Sequence, residues 1–297
     1  MGRALRARYG EGVAAVLFYG SCLRKKTHEG VLDFYVIVDS YRSCYDSRRL
    51  AWLNAAVPPN VFYVELASEF GTLRAKCAVL SRRHFQREVS TRARSPYIWA
   101  RFAQPSIAVY TRDDDARELV VDCAASAIAT LVRRLSAFLP AKGQVQRFSL
   151  AALWQEAFRK TYGAELRTES PQTVRGNYEA DPERYDYVGA EALALLEARG
   201  WLDRVSTRGK AVEVKMPRLR RLRTRWRWRL MRPTWKLLAL LRLVKNAGTF
   251  GDWLPYVLWK LERHTGAVVE LSERQRRHPL IFGWSAVLRL LLRRHLH

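Results

Sequence analysis

Four short apolar runs set the limits on what this chain can fold into. Residues 13–19, 32–38, 61–66 and 75–80 are built largely from aliphatic, β-branched and aromatic residues, are too short for stable helices, and are separated by polar stretches rich in turn formers, the pattern of a small sheet. The first run ends abruptly in Gly20-Ser21 and gives way to a basic stretch, 24–30, while the third follows Pro58-Pro59-Asn60. Because strand side chains alternate between faces, Asp33 in the second run shares a face with Tyr35, Ile37 and Asp39.

Downstream, 82–103 reads as helical until Pro105, 107–110 as a further strand, and 116–139 as a long helix, after which Pro140-Ala141-Lys142-Gly143 marks a boundary. Helical patterns over 150–162 and 186–199 and a β-like stretch over 205–214 suggest a small helical unit closed by a hairpin, as in a winged helix. The expected class is α/β (α+β). The expected divisions are 1–141, a sheet domain; 142–214, a winged-helix-like domain; and 215–297, a basic helical region.

At 297 residues and 48% hydrophobic, the chain has ample core for more than one domain, which excludes wholesale disorder. Its 52 Lys and Arg against 28 Asp and Glu, a formal charge of +24, call for a polyanionic partner. Nucleic acid and an anionic membrane surface both qualify, since each presents arrays of phosphates. No run reaches the ~18–20 apolar residues of a spanning helix, because Lys236, Arg242 and Arg289 interrupt the best candidates. The expectation is therefore a peripheral protein on the cytoplasmic face of a membrane. Residues 1–10 contain no apolar core of a secretory signal, and Arg6 stands where a myristoylation pattern needs Ser or Thr. Cys22, Cys44, Cys77 and Cys123 are scattered without a CxxC pair and read as reduced packing residues.

The most polarised stretch is 214–251, which has no carboxylate. Arg218, Arg220, Arg221, Arg223, Arg225, Arg227 and Arg229 alternate there with Leu and Trp before the apolar run 235–244. This is the composition of an interfacial segment, with rings at headgroup depth and cations on lipid phosphates. A helix packed on the protein body and a nucleic-acid groove with stacking Trp are two other readings of it. Residues 287–294 suggest a second anchor, and His264 reads as structural.

The chemistry-bearing pattern is Gly20-Ser21, a loop, then Asp33 inside an apolar strand. Backbone N–H groups and a hydroxyl at a strand end suit nucleotide phosphates, and a neighbouring carboxylate suits Mg²⁺. The arrangement resembles the polymerase-β-like nucleotidyltransferases, in which a second carboxylate stands two residues after the first; here that position is Tyr35. Asp39 shares the face of Asp33 but lies about 20 Å along the strand. Glu65, on a neighbouring run, is the better candidate for the second metal ligand.

Read with Lys76-Cys77-Ala78-Val79, Arg101-Phe102-Ala103-Gln104-Pro105 and Tyr162-Gly163-Ala164-Glu165-Leu166-Arg167, the pattern over roughly 15–185 resembles the mitochondrial-type phosphatidate cytidylyltransferases, the translocator assembly and maintenance family. Gln104, Glu165, Ala164 and Cys77-Ala78 depart from that family's usual residues, as a divergent bacterial member would. The resemblance implies transfer of CMP from CTP to phosphatidic acid with Mg²⁺, giving CDP-diacylglycerol and pyrophosphate. It implies catalytic roles for Asp33, Lys76 and Arg167, nucleotide contacts from Gly20, Ser21, Tyr35 and Glu165, and metal binding by Asp33 with Glu65; no specific nucleic-acid partner is expected. The rivals are a nucleotidyltransferase acting on RNA or another acceptor, and a non-catalytic basic nucleic-acid binder.

Overall fold

The computed structural model describes residues 1–249 apart from 70, 166–169 and 209–210. After α1 (Gly2–Tyr9), the chain lays down β1 (Val13–Tyr19), the short α2 (Ser21–Arg24), β2 (Val31–Val38), α3 (Tyr41–Cys44), α4 (Arg48–Ala56), β3 (Asn60–Ser68) and β4 (Gly71–Ser81). Then come α5 (Arg82–Val89), α6 (Trp99–Phe102), β5 (Ser106–Thr111) and α7 (Asp114–Leu135), which runs on into a 3₁₀ turn over Ser136–Phe138. The five strands pair in the order β3-β4-β2-β1-β5, antiparallel except for the parallel β2–β4 pair.

Alternation along the central strands splits the apolar residues into two layers. Phe34, Val36 and Val38 pack with Leu5, Cys77 and Val79 on one face, while Tyr35 and Ile37 pack with Leu17, Leu80, Phe85 and Leu131 on the other. Side-chain caps fix where the helices begin: Ser81 accepts from the His84 N–H and Asp113 from the Ala116 N–H. The expected single helix over 82–103 is two helices. Pro96 disfavours helix at Ser95, and the intervening loop is held by the buried Glu88, which accepts from the Arg94 N–H at 3.3 Å.

A second sheet follows. β6 (Val145–Ser149), α8 (Leu150–Tyr162), α9 (Pro171–Glu179), α10 (Pro182–Ala198), β7 (Asp203–Arg208) and β8 (Ala211–Lys215) give three helices beside a three-stranded sheet of order β6-β8-β7. Ser149, Ser170 and Asp181 cap the three helices, the last two with Pro at the first helical position. No break in the core marks the expected boundary near 141. One apolar cluster contains Tyr35, Leu131, Trp154, Val214 and Trp235, and residues 1–246 form a single compact unit.

The arginine-rich segment is one helix, α11 (Arg218–Thr249), and one face of it lies on the body. Trp228 and Trp235 are buried, and the Trp235 indole donates to the Arg94 carbonyl at 2.8 Å. The guanidinium groups on that face serve helix ends, where carbonyls lack intrahelical partners. Arg220 donates to the Gly200 carbonyl at 3.0 Å just past α10, Arg225 to the Ala137 carbonyl at 2.7 Å beyond α7, and Arg232 to the carbonyl of Gly163, the C-cap of α8, at 2.9 Å. Further on, Arg242 donates to the Pro58 carbonyl at 2.9 Å. Trp235, Arg220 and Arg225 are therefore corrected from membrane-surface residues to body contacts. The opposite face is solvent-exposed and carries nine of the fifteen large exposed apolar side chains among the described residues, including Leu219, Trp226, Leu230, Leu237 and Val244. Among the described residues no helix is long and apolar enough to cross a membrane. His264 and the 287–294 segment lie outside the described residues.

Candidate nucleotide site

At the end of β1 the chain turns through Gly20, whose φ of +92° an L side chain rarely adopts. A Cβ there would also stand 2.8 Å from an Asp33 carboxylate oxygen. Both constraints demand glycine, and they press the Gly20-Ser21 backbone against the carboxylate. Register supplies the next neighbours: Asp33 pairs with Tyr19 across the β1–β2 ladder and with Lys76 across the β2–β4 ladder. Burial pushes the Asp33 carboxyl above the ordinary carboxylate value, opposed by the charges of Lys76, Arg101 and Arg24.

Asp33 opens into a cavity of about 580 Å³ whose wall is drawn from distant stretches of sequence: Gly20 and Ser21, Arg24 and Lys25, Arg101 and Gln104, Tyr162 and Glu165, and, from α9, Thr173 and Asn177. Arg101 forms a two-pronged pair with Glu165 at 2.7 and 3.1 Å, the fork geometry that fixes both side chains, and its guanidinium lies over the Tyr97 ring at 3.8 Å. Arg24 donates to Gln104 at 3.1 Å, and Asn177 donates to the Tyr162 hydroxyl at 2.6 Å. The cavity thus has cations aimed inward beside one carboxylate, Asp33, that no ion pair engages among the described residues.

Of the expected site residues, Gly20, Ser21, Asp33 and Glu165 line this cavity. Lys76 stands beside Asp33 on the sheet rather than in the wall. Tyr35 is a correction: it is fully buried against Tyr19 and Phe102, ring centroids 5.1 and 5.0 Å away, and is a core residue beneath the site. Glu65 is another. It lies two strands from Asp33 and two residues along, about 11–12 Å by strand spacing and rise, and its carboxylate accepts from Tyr63 at 2.7 Å and Arg74 at 3.2 Å. Asp39 is held by Arg112 at 2.6 Å, far along the strand. Arg167 lies outside the described residues. The sequence reading missed Lys25, Thr173 and Asn177 as wall residues and took Arg24 only as part of a basic loop; the run Arg24-Lys25-Lys26 directly after Gly-Ser was the available signal.

The donor set admits one Mg²⁺ but not a two-carboxylate pair. Asp33 and the Ser21 hydroxyl offer oxygen ligands, and Mg²⁺ commonly binds through one or two carboxylates with substrate phosphates and water completing its shell. Among the described residues no group of three or more His, Cys, Asp or Glu side chains is placed to hold a metal.

Neither a known protein family nor a curated protein matches the sequence. Among solved structures, a nucleotidyltransferase-like protein from Exiguobacterium sibiricum 255-15 aligns over 98% of this chain and 90% of its own, at 12% identity and a TM-score of 0.27. A likeness of that size fixes neither fold nor chemistry.

Proposed function

We propose that the chain is a nucleotidyltransferase that binds CTP in the Asp33 cavity and transfers CMP to phosphatidic acid. The observation that carries this reading is the convergence of Gly20, Ser21, Asp33, Arg101, Gln104 and Glu165, from four separate stretches of sequence, on one cavity. Gly20 and Ser21 receive the triphosphate through backbone N–H groups and a hydroxyl, and Arg24, Lys25 and Lys76 supply positive charge to it. A phosphate oxygen of the acceptor forms a bond to the α-phosphorus as the bond from that phosphorus to the bridging oxygen breaks, releasing pyrophosphate. Asp33, with the Ser21 hydroxyl, would hold Mg²⁺, which would supply positive charge to offset that developing on the leaving group. Arg101, fixed by Glu165, orients the wall against which the nucleotide sits. The 142–214 region, read as winged-helix-like, forms the cavity's far side through Tyr162, Glu165 and Asn177.

The acceptor is reached at an anionic membrane. The outer face of α11 supports this, with Leu219, Leu222, Trp226, Leu230 and Leu237 exposed alongside Arg223, Arg227, Arg229 and Lys236. Incubation of the purified protein with CTP, Mg²⁺ and vesicles tests both parts. Pyrophosphate release that requires phosphatidic acid is expected; release that requires RNA instead, or equally without lipid, refutes the acceptor. A second reading, a nucleotide binder without turnover, is favoured by the site's having one carboxylate, Asp33, outside any ion pair among the described residues, and CTP binding with no pyrophosphate under any acceptor would establish it.

A further inference from the structure

A second cavity, of about 550 Å³, lies between the C-terminal half of α8 and α11. Five cations line it, Arg159, Lys160, Arg225, Arg229 and Arg232, against a single carboxylate, Glu156. The rest of its wall is largely apolar, with Phe138, Leu222, Trp226 and Trp228. It shares no lining residue with the Asp33 cavity: the last turn of α8 divides them, Thr161 and Tyr162 facing one, Lys160 and Gly163 the other.

Glu156 answers only part of this charge. It binds Arg159 at 2.8 and 2.7 Å and approaches Lys160 at 3.8 Å. Arg225 and Arg232 are aimed by backbone carbonyls at 2.7 and 2.9 Å, contacts that fix a guanidinium without neutralising it. A guanidinium has five N–H donors, so both retain donors for a ligand. Burial lowers the pKa of Lys160, and the charges of Arg159, Arg232 and Arg225 add to that against the support of Glu156. An anion entering here relieves mutual repulsion among cations that the fold has already positioned.

We propose that this pocket binds the dianionic phosphate of a phosphate monoester whose remaining body is apolar, at a site separate from the nucleotide cavity. Forked guanidinium donors match phosphate oxygens two at a time, and the aromatic wall suits an apolar body rather than a sugar. Trp226 and Leu222, 61% and 52% exposed, extend that wall onto the outer face of α11. A lipid headgroup and a soluble ester both present such a phosphate. The inference stands whether or not the Asp33 cavity transfers nucleotides.

Calorimetric titration of the full chain with inorganic phosphate, glycerol 3-phosphate and monomeric dihexanoyl phosphatidic acid tests it. Saturable binding that persists in Asp33→Asn is expected. Arg229→Gln, at an exposed position, should weaken it about tenfold, and Glu156→Gln, which removes the one competing carboxylate, should tighten it. Binding of the short lipid at least about tenfold tighter than glycerol 3-phosphate is expected from the apolar wall and assigns the site to a lipid headgroup; equal binding of the two overturns the apolar body and the proposal with it. The proposal is overturned if none of the three binds, if Arg229→Gln binds as the wild type does, if Glu156→Gln weakens binding, or if binding disappears in Asp33→Asn.

Discussion

Strand β2 and helix α11 both carry the residues that stand out most in the sequence, yet they use them in opposite ways. On β2 a single charge, Asp33, sits in an apolar strand, and ladder register dictates its neighbours, Tyr19 on one side and Lys76 on the other. On α11 eight arginines between 218 and 232 look alike in sequence, but helical rotation divides them. Arg220, Arg225 and Arg232 donate to backbone carbonyls at helix ends, whereas the exposed Arg223, Arg227 and Arg229 lie on other sides of the helix. A rare charge in a regular lattice announces its role. A repeated charge does not, because composition is blind to which face a residue occupies.

The sharpest way to break this comparison is Asp33→Asn, for which a loss of roughly 10²–10³-fold in pyrophosphate release is expected, the scale of removing one preorganised charge contact. The same variant should be more heat-stable than wild type at neutral pH. The folded-state pKa of Asp33 is raised, so the folded protein holds that proton more tightly than the unfolded chain, and its contribution to stability is full below the unfolded value and lost as pH rises through the folded one. Melting curves should therefore separate the two proteins near pH 7 and bring them together at acid pH; a less stable Asn variant at pH 7 contradicts the burial of this carboxylate.

Gly20→Ala is the next largest effect. The positive φ costs about 1–3 kcal/mol for a residue with a Cβ, and the collision with Asp33 should raise the CTP requirement as well. Wild-type nucleotide affinity in this variant would remove Gly20 from the site.

On the helix, Arg225→Met should lower stability by about 1–2 kcal/mol in denaturant melts, while Arg223→Met should stay within about 0.5 kcal/mol. Equal losses would mean that the two faces of α11 are not distinct. The smallest effect belongs to Glu65→Gln, which loosens a partly exposed pair with Arg74 and should cost less than about 1 kcal/mol while leaving turnover and its Mg²⁺ dependence unchanged. A large drop in turnover would return Glu65 to the metal site.

All four early strands and the helix over 150–162 were legible because short apolar runs and capped, periodic segments report local structure directly. Helices α1, α4 and α9 were not foreseen. They are short, and α4 buries only Ala51 and Asn54, too little apolar periodicity to register. At the site, Gly20 and Asp33 could be found because their spacing is local. The pairing of Arg101 with Glu165 joins residues 64 positions apart, and Asn177 reaches the cavity only through the packing of α9 on α8. The substitute sought for Tyr35 at Glu65 failed for a positional reason: sharing a sheet face is not adjacency when a whole strand intervenes.

The three carbonyl clusters that α11 serves also order events in time. Helices α7, α8 and α10 all precede α11 in the chain, so during synthesis their C-terminal ends face water, and Trp99 and Phe138 lack the Trp228 ring that packs beside them in the finished protein. The helix that closes them emerges only after all three. A stall before residue 218 leaves a nascent chain whose sheet can form but whose helical ends and aromatic surface remain open to chaperones, proteases and aggregation.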